Sequence, residues 1–282
     1  MEQAEALLKS GDLAGCLKEV TERVRKDASA TAPRVFLFQL FCVLGHWERA
    51  RRQLYILKDM DASTVPMFET YDAVIQCEHI RQAVFAGKRT ALMFGKPSQW
   101  TADLSAGLAA LAEGRADEAE RLRDQAFENA PESNGTINGE AFEWIADADG
   151  RLGPVLEAFI NGYYYWVPMN CIASVRFDPP EDLRDLVWAP AEFKWANEGE
   201  AVGFIPVRYP GSESAEDSRL ALARLTEWEE LGNDLVIGHG QRLLVTDQND
   251  YPFLGITEII IEQQSGNEEA ATEQSAQRSD DS

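Results

Sequence analysis

The chain has 282 residues, 45% of them apolar, which is enough for two domains with cores of their own. Its formal charge of -22 is uneven, because residues 132–282 hold 9 basic and 29 acidic side chains. Such a field repels phosphate backbones and anionic lipids, so we expect neither nucleic-acid nor membrane-surface partners. The first residues are acidic and no apolar run reaches about 18 residues, which predicts a cytoplasmic protein without a signal peptide or membrane span.

A glycine that is followed five positions later by a small residue recurs between helical stretches of the first half. The copies run from Gly11 to Cys16, from Gly45 to Ala50 and from Gly114 to Ala119, and a weaker one starts at Gly87. Gly11 lies 34 residues before Gly45, which is the tetratricopeptide period. The pattern predicts a stacked array of helix pairs, with an unrelated helical bundle as the alternative.

Apolar residues at helical spacing predict seven helices in this array. They are expected at residues 2–10, 13–26, 33–44, 48–60, 67–86, 98–113 and 117–129. The third helix is apolar on nearly every face, so we expect it at the centre of the array.

The pattern changes after Pro131, where residues 132–136 are typical of a linker or turn. We predict β-strands at residues 163–167, 187–195, 202–209, 242–246 and 253–261, with a hairpin turn at 197–200. Residues 140–160, interrupted at 147–154, and residues 217–231 are predicted as helices. The predicted fold is therefore a TPR-like helical array (1–131), then a smaller α+β domain with mostly antiparallel strands (132–262), then a disordered acidic tail (263–282).

Metal and cofactor motifs are weak in this sequence. Cys42 with His46 and Cys77 with His79 could contribute to a Cys/His cluster, but buried cysteine is ordinarily core. The four cysteines, which also include Cys16 and Cys171, are expected to be buried reduced thiols. Gly87-Lys88 does not fit a phosphate loop, because Gln82 stands where the first glycine should be and Arg89 follows the lysine. We therefore expect no metal and no cofactor.

Catalytic patterns are equally weak. His239 stands between two glycines, which predicts a tight turn between strands rather than a catalytic base. A general acid and base pair could come from the carboxylates of Asp147, Asp149, Asp182, Asp185 and Asp217. With 29 acidic residues in this half of the chain, close carboxylates arise by number alone, so we interpret them as a solvated face or as helix caps. No residue is assigned a catalytic role.

The run Tyr163-Tyr164-Tyr165-Trp166-Val167-Pro168 is unusual, because in a strand its rings alternate between the two faces. At least one or two rings should then be exposed and available to a protein partner. Half-buried packing against the helical array is the alternative.

Several longer motifs resemble the ImpE family of bacterial type VI secretion accessory proteins, also called SciE-type or TagJ proteins. They are Trp144-Ile145-Ala146-Asp147-Ala148-Asp149 with Arg151-Leu152-Gly153-Pro154-Val155-Leu156-Glu157, Gly162 to Pro168, Asp182 to Trp188, Pro206 with Arg208-Tyr209-Pro210-Gly211-Ser212-Glu213, Leu225-Thr226 with Trp228, and Gly240-Gln241-Arg242 with Leu244. The likeness covers nearly the whole chain up to about residue 262.

This resemblance implies a non-enzymatic adaptor that binds the small subunit of the contractile sheath (TssB-like) and links it to the ClpV AAA+ ATPase. The helical array, or its junction with the second domain, would receive an amphipathic segment of the sheath protein. The alternative is a hydrolase that uses the carboxylates around Asp147 and Asp217. No family motif carries a catalytic assignment. The motif residues are therefore candidates for partner contact or for determining the fold: Trp144, Asp147, Asp149, Arg151, Tyr163, Tyr164, Trp166, Trp188, Arg208, Tyr209 and Glu213.

Physical roles can be assigned to some motif residues. Gly153, Pro154, Pro210 and Gly211 are expected to form turns, and Asp147 and Asp149 to cap helices or loops. The arginines of the motifs are expected to make internal ion pairs rather than to bind ligand. These arginines are Arg151, Arg184 and Arg208.

Residues 264–282 carry five acidic side chains and no apolar residue larger than alanine, so burial cannot offset the entropy lost on ordering them. We expect a chain cut at residue 264 to unfold within about 4 °C of the full chain, equivalent to roughly 1–2 kcal/mol at this size. Thermal unfolding of both chains measures the difference. A larger drop in the midpoint would show that this segment contributes to the fold.

Overall fold

The computed structural model describes residues 1–232 and 235–263, so most of the predicted tail lies outside the described residues. The helices are α1 (Glu2–Ser10), α2 (Leu13–Lys26), α3 (Thr31–Val43), α4 (Trp47–Met60), α5 (Val65–Phe85), α6 (Gln99–Ala112), α7 (Ala116–Asn129) and α8 (Ser218–Ala221). The strands are β1 (Leu92–Met93), β2 (Gly135–Ile137), β3 (Glu140–Phe142), β4 (Ile145–Asp147), β5 (Val155–Ile160), β6 (Tyr163–Pro168), β7 (Ile172–Phe177), β8 (Trp188–Trp195), β9 (Glu200–Pro206), β10 (Thr226–Glu230), β11 (Val236–Gly240), β12 (Leu243–Thr246), β13 (Asp250–Pro252) and β14 (Glu258–Ile261). The predicted class, a helical array followed by an α+β region with mostly antiparallel strands, is confirmed.

The repeated glycines separate the two helices of each pair. Gly11, Gly45 and Gly114 follow α1, α3 and α6 with φ values of 84°, 64° and 75°, a left-handed conformation that favours glycine. The small residues five positions later, Cys16, Ala50 and Ala119, are buried, as close helix packing requires. Gly87 also has a positive φ, of 69°, but β1 follows it, so the fourth copy does not open a helix pair.

The third helix lies at the centre of the array, as predicted. Every residue of α3 from Leu37 to Val43 is buried, and most of them belong to one large apolar core. That core extends beyond the array and includes side chains of β5, β6 and β8. No helix within residues 1–232 and 235–263 is long and apolar enough to cross a membrane.

One nine-stranded sheet dominates the second half, in the order β1-β6-β5-β9-β8-β7-β14-β2-β3. Its pairs are antiparallel except for β1, which joins β6 in parallel from within the helical part of the chain. Smaller sheets are formed by β10-β11 and by β13-β12-β4. Because β1 crosses from the helical part, the boundaries at 131 and 262 stay a prediction.

The two faces of the large sheet pack differently. On one face, Tyr71 of α5 lies against Trp188 and Phe204, with ring centroids 6.0 and 5.5 Å apart. The helices therefore cover part of this face. Side chains of the opposite face form a second apolar core, which includes Phe193, Ile205 and Ile259.

Three local predictions are wrong. Residues 140–160 form β3, β4 and β5 rather than a helix, because every side chain of β5 is buried and a strand buried on both faces lacks alternation. Within residues 217–231 only Ser218–Ala221 is helical; Ala223 has a φ of 52°, and Thr226–Glu230 pairs with β11. His239 lies inside β11, not in a turn. The other predicted helices and strands are present, except that the strand predicted at 253–261 is a 3-10 helix over Phe253–Gly255 and a strand over Glu258–Ile261 alone. Glu198 and Gly199 form the predicted turn between β8 and β9.

Candidate functional site

A cluster of buried charges joins the helical array to the sheet. Arg81 of α5 donates from Nε to Glu157 Oε1 of β5 at 2.7 Å. Arg242 donates from Nη2 to the other oxygen of Glu157, and from Nη1 to Asp147 Oδ2 at 2.8 Å. The side chains of Glu157, Arg242 and Asp147 are completely buried, and Arg81 is nearly so. We call these four residues the charge cluster.

The two carboxyl groups of the charge cluster differ in their electrostatics. Burial disfavours the ionised form of both, but at Glu157 the charges of Arg81 and Arg242 outweigh burial and lower the pKa to about 2. At Asp147 burial outweighs the charge of Arg242 and raises the pKa to about 7. Glu157 is therefore the permanent negative charge between the two guanidinium groups, whereas Asp147 changes protonation near neutral pH.

Aromatic side chains complete the hydrogen bonds of the charge cluster. Tyr164 donates from Oη to Glu157 Oε1 at 2.6 Å, and Trp166 donates from Nε1 to Tyr164 Oη at 2.6 Å. Tyr209 donates from Oη to Asp147 Oδ1 at 3.0 Å. A buried carboxylate needs such donors, since each unsatisfied oxygen would cost stability.

A second set of contacts lies beside the charge cluster. Trp188 donates from Nε1 to Glu78 Oε1 of α5 at 2.8 Å. Arg208 donates to the carbonyl oxygens of Val43 at 2.7 Å and Ala221 at 2.5 Å, and so binds the end of α3. The predicted ion pair of Arg208 is wrong, because its guanidinium group binds backbone carbonyls at a helix end.

The turn between β4 and β5 confirms the predicted capping aspartates. Asp147 Oδ1 accepts from Asp149 N at 2.9 Å, and Asp149 Oδ1 accepts from Arg151 N at 2.9 Å. Arg151 also pairs with Asp149 through Nη2 at 2.5 Å, and Arg184 pairs with Asp182, so both predicted ion pairs are present.

The structure therefore brings together most of the residues that the motifs singled out. Asp147, Tyr164, Trp166, Trp188, Arg208 and Tyr209 lie in or beside the charge cluster, and Asp149 and Arg151 lie in the adjoining turn. Glu213 accepts from Gln82 Nε2 of α5 at 3.4 Å and lies near enough to Arg208 and Glu78 for its charge to act on both. Trp144 and Tyr163 lie apart and are exposed.

Glu78 and Arg81, which carry charges of the interface, were not predicted as site residues, and Glu157 and Arg242 stand in the quoted motifs but were given no role. A signal for one of them was present. Glu157 is the single charged residue in the apolar run Val155–Ile160, and a charge inside a buried strand requires a buried partner.

The carboxylates of the hydrolase alternative occupy different environments. Asp147 is enclosed within the charge cluster, whereas Asp217 lies at the surface, pairs with Arg219 and accepts from its backbone N–H. The four cysteines are free, and Cys171 is only partly buried, contrary to expectation. Among residues 1–232 and 235–263, no group of three or more His, Cys, Asp and Glu side chains is arranged to hold a metal ion.

The helices leave a large part of the sheet uncovered. The strand register places Val202, Glu192 and Arg176 side by side across β9, β8 and β7. Lys194, Ser174 and Ile260 form a second such row across β8, β7 and β14. Both rows lie on the face of the sheet that Trp188 and Phe204 share. Val202 is 72% exposed and Ile260 is 40% exposed. We define the open sheet face by Val202, Ile260, Glu192, Lys194 and Arg176, together with Glu200 and Glu258.

Two adjoining hollows of about 840 and 870 Å³ lie along the open sheet face. Thr70 of α5 lines the first, so the helical layer ends at its margin. A narrower hollow continues between α5 and β5, beside Ala73 and Asn161. A long, shallow and partly apolar groove thus runs along the line where the helical layer ends on the sheet.

The chain thus combines a helical array, a mostly antiparallel sheet joined to it by buried charges, and a sheet face that the helices leave uncovered. Residues 139–260 match the family model described as ImpE protein. The chain is 44% identical over 259 residues to the type VI secretion system accessory component TagJ of Pseudomonas aeruginosa, covering 92% of this chain and 91% of that protein. The chain therefore belongs to the ImpE family.

A solved structure has the same fold. The crystal structure of protein VPA1032 from Vibrio parahaemolyticus matches with a TM-score of 0.86 at 23% identity, over 93% of this chain and 98% of that one. The likeness extends through both the helical array and the sheet. At this level of identity it supports the fold alone.

The charge cluster makes a prediction about stability. Replacing Glu157 by Gln leaves Arg81 and Arg242 buried without their shared carboxylate, which should lower the free energy of unfolding by about 3–5 kcal/mol. Urea unfolding followed by circular dichroism measures this change in the free energy of unfolding. The control, Asp217→Asn, removes an exposed carboxylate and should leave the urea midpoint unchanged. A loss below about 1 kcal/mol for Glu157→Gln would mean that the cluster does not join the two parts.

Proposed function

We propose that this protein is a non-enzymatic adaptor of a type VI secretion system that binds the small subunit of the contractile sheath and links it to the ClpV ATPase. An accessory role in type VI secretion is supported by the 44% identity to TagJ of P. aeruginosa. The proposed contact is an amphipathic segment of the sheath subunit lying on the open sheet face, at the junction of the array and the sheet.

The main support for the open sheet face as the docking surface is that the helical layer ends before the sheet does. Tyr71 covers Trp188 and Phe204, but Val202, two residues from Phe204 on the same face, is the most exposed of the large apolar side chains. A helix laid beside α5 would extend the existing layer over Val202 and Ile260. Packing of that kind buries apolar area, which is the main source of affinity at such surfaces.

The shape of the surface also favours a chain segment over a small molecule. Ligand pockets usually enclose their ligand in a concave, mostly apolar cavity. Here the hollows open along the sheet and are bordered by Glu192, Lys194, Glu200 and Glu258. Apolar centres with a charged border are typical of protein interfaces.

The negative charge of the second half of the chain should affect how fast a partner associates. Residues 132–282 hold 9 basic and 29 acidic side chains, so this half attracts segments with basic residues. Long-range attraction raises the association rate more than it slows dissociation. Added salt should therefore slow association of the sheath subunit more than it speeds release.

The proposal predicts the effect of replacing the two exposed apolar residues of the open sheet face. The double variant Val202→Lys, Ile260→Lys should bind the purified sheath small subunit at least about tenfold more weakly, because two apolar contacts are lost. Glu192 lies directly opposite position 202, so a lysine there gains a favourable cross-strand pair and the fold is retained. Titration calorimetry measures the dissociation constant.

The matched control is Ile56→Lys on the exposed face of α4, which is similar in exposure to Ile260 but lies away from the open sheet face. It should bind with the affinity of the unmodified chain. Unchanged affinity in the double variant, with unfolding midpoints equal in all three proteins, would reject the open sheet face as the docking surface.

A further inference from the structure

The strand β10 lies at an open edge of the two-stranded sheet. In the part of the chain that the structure describes, β11 pairs with one side of β10 and no strand pairs with the other side. The far side of β11 is occupied, because Gly150 N donates to Val236 O and Tyr209 N donates to Gly240 O, both at 2.9 Å. The small sheet is therefore anchored through β11 and open at β10.

Hydrogen bonds at the two ends of the β10–β11 pair show which main-chain groups face outward. Gln241 N donates to Leu225 O just before β10, and Leu231 N donates to Leu235 O just after it, both at 2.9 Å. Residues of a strand alternate between bonding one neighbour and facing the opposite side. Positions 225, 227, 229 and 231 therefore face β11. The residues between them have their N–H and C=O groups on the open side: Thr226, Trp228 and Glu230.

The side chains of β10 are mainly acidic and aromatic. Glu227, Trp228, Glu229 and Glu230 are all exposed, and the exposed fraction of Trp228 is 41%. Four consecutive exposed residues mean that neither face of β10 is covered, because successive side chains point to opposite faces. We call Thr226–Glu230 the acidic edge. It includes the motif residues Thr226 and Trp228, which the function proposed above does not use.

Neighbouring cations compensate the charge of the acidic edge only in part. Glu229 Oε2 lies 3.0 Å from His239 Nε2 of β11. Arg219 of α8 is near enough to Glu227 for the two charges to interact, but its guanidinium group binds both carboxylate oxygens of Asp217. The acidic edge thus keeps a net negative charge and attracts cationic groups.

Trp228 offers a second kind of contact to a cation. Its ring packs against Tyr209 with centroids 5.7 Å apart, and Gly238 lies opposite it on β11. A Cβ atom on Gly238 would lie 2.2 Å from the Tyr209 ring, so the glycine makes room for this packing. Tyr209 is held in turn by Asp147 of the charge cluster. The indole is therefore fixed by the fold and still exposed, and lysine and arginine side chains bind such rings.

The charges of the acidic edge select its occupant. A second copy of β10 would place glutamates opposite glutamates, and like charges directly across a strand pair are destabilising. A strand rich in lysine or arginine instead gains favourable cross-strand pairs. Open strand edges bind extended segments through main-chain hydrogen bonds, while the side chains provide specificity.

We propose that the acidic edge binds an extended basic segment of a partner protein, which adds to β10 as a third strand. The main-chain groups of Thr226, Trp228 and Glu230 bond the added strand, and its lysine or arginine side chains contact the glutamates and the Trp228 ring. The acidic edge shares no residue with the open sheet face. It is a second docking surface, and it takes an extended chain rather than a helix.

A synthetic peptide tests the proposal on the full, unmodified chain. The probe is an acetylated and amidated nine-residue peptide in which lysine alternates with threonine. Its matched control has the same sequence with the five central amides N-methylated, which removes donors from both edges of the strand and keeps every charge. We expect fluorescence anisotropy at about 50 mM salt to give a dissociation constant below about 1 mM for the probe, and binding at least about tenfold weaker for the control.

Amide hydrogen exchange read by NMR locates the contact. At a probe concentration about ten times the dissociation constant, exchange should slow at least about fivefold at Trp228 and Glu230, because their N–H groups gain acceptors. Exchange should change less at Glu227 and Glu229, whose N–H groups face β11.

A pair of variants tests the main-chain contact separately from charge. Glu230→Pro removes one outward N–H, and an edge strand tolerates proline on its open side. Glu230→Gln is the matched control, since it removes the same charge and keeps the N–H. We expect Glu230→Pro to bind the probe at least about fivefold more weakly than Glu230→Gln, with equal unfolding midpoints.

The experiments on the unmodified chain decide the outcome even if the proline variant unfolds. Failure of the probe to bind, equal binding of the methylated control, or unchanged exchange at Trp228 and Glu230 would each overturn the proposal. A dimer of the unmodified chain that Glu230→Pro dissociates would overturn it too, because the acidic edge would then bind a second copy.

Discussion

Glu157 accepts hydrogen bonds from Arg81 of the helical array and Arg242 beside the small sheet, and this contact fixes how the two halves of the chain meet. A buried ion pair adds little net stability compared with apolar packing, but removing one partner is costly. An arrangement in which Arg81 misses Glu157 would break a buried ion pair and leave Arg242 as the remaining cationic partner of Glu157. The charge cluster therefore selects one relative placement of the array and the sheet among the many that apolar packing alone would allow.

That placement decides which surfaces remain for partners. With α5 held over β5 by Arg81, Tyr71 covers Trp188 and Phe204, and the helical layer ends before Val202. The open sheet face is thus a consequence of the charge cluster rather than an independent feature. The same placement brings the loop after α5 to the edge of the sheet, where β1 pairs with β6.

The sequence predicted those elements that are determined by local pattern. The glycines at 11, 45 and 114 end helices because only a left-handed residue fits there, and that requirement is visible without a structure. Strand β5 was missed because burial on both faces removes the alternation that identifies a strand. The residues of the charge cluster come from positions 81, 147, 157 and 242, and no local pattern relates positions so far apart. The motif residues Asp147, Tyr164 and Tyr209 were selected, but their role became clear only with Glu157 beside them.

We propose that a sheath subunit docks on the open sheet face beside α5. Amide hydrogen exchange of the full chain, with and without the purified sheath small subunit, tests it most directly, because added contacts slow local opening. Docking there should slow exchange in β7, β8, β9 and β14 and at the start of α5, and should leave exchange in α1 and α2 unchanged. Protection confined to the helix pairs of the array, with β8 and β9 exchanging at their free rates, would contradict it.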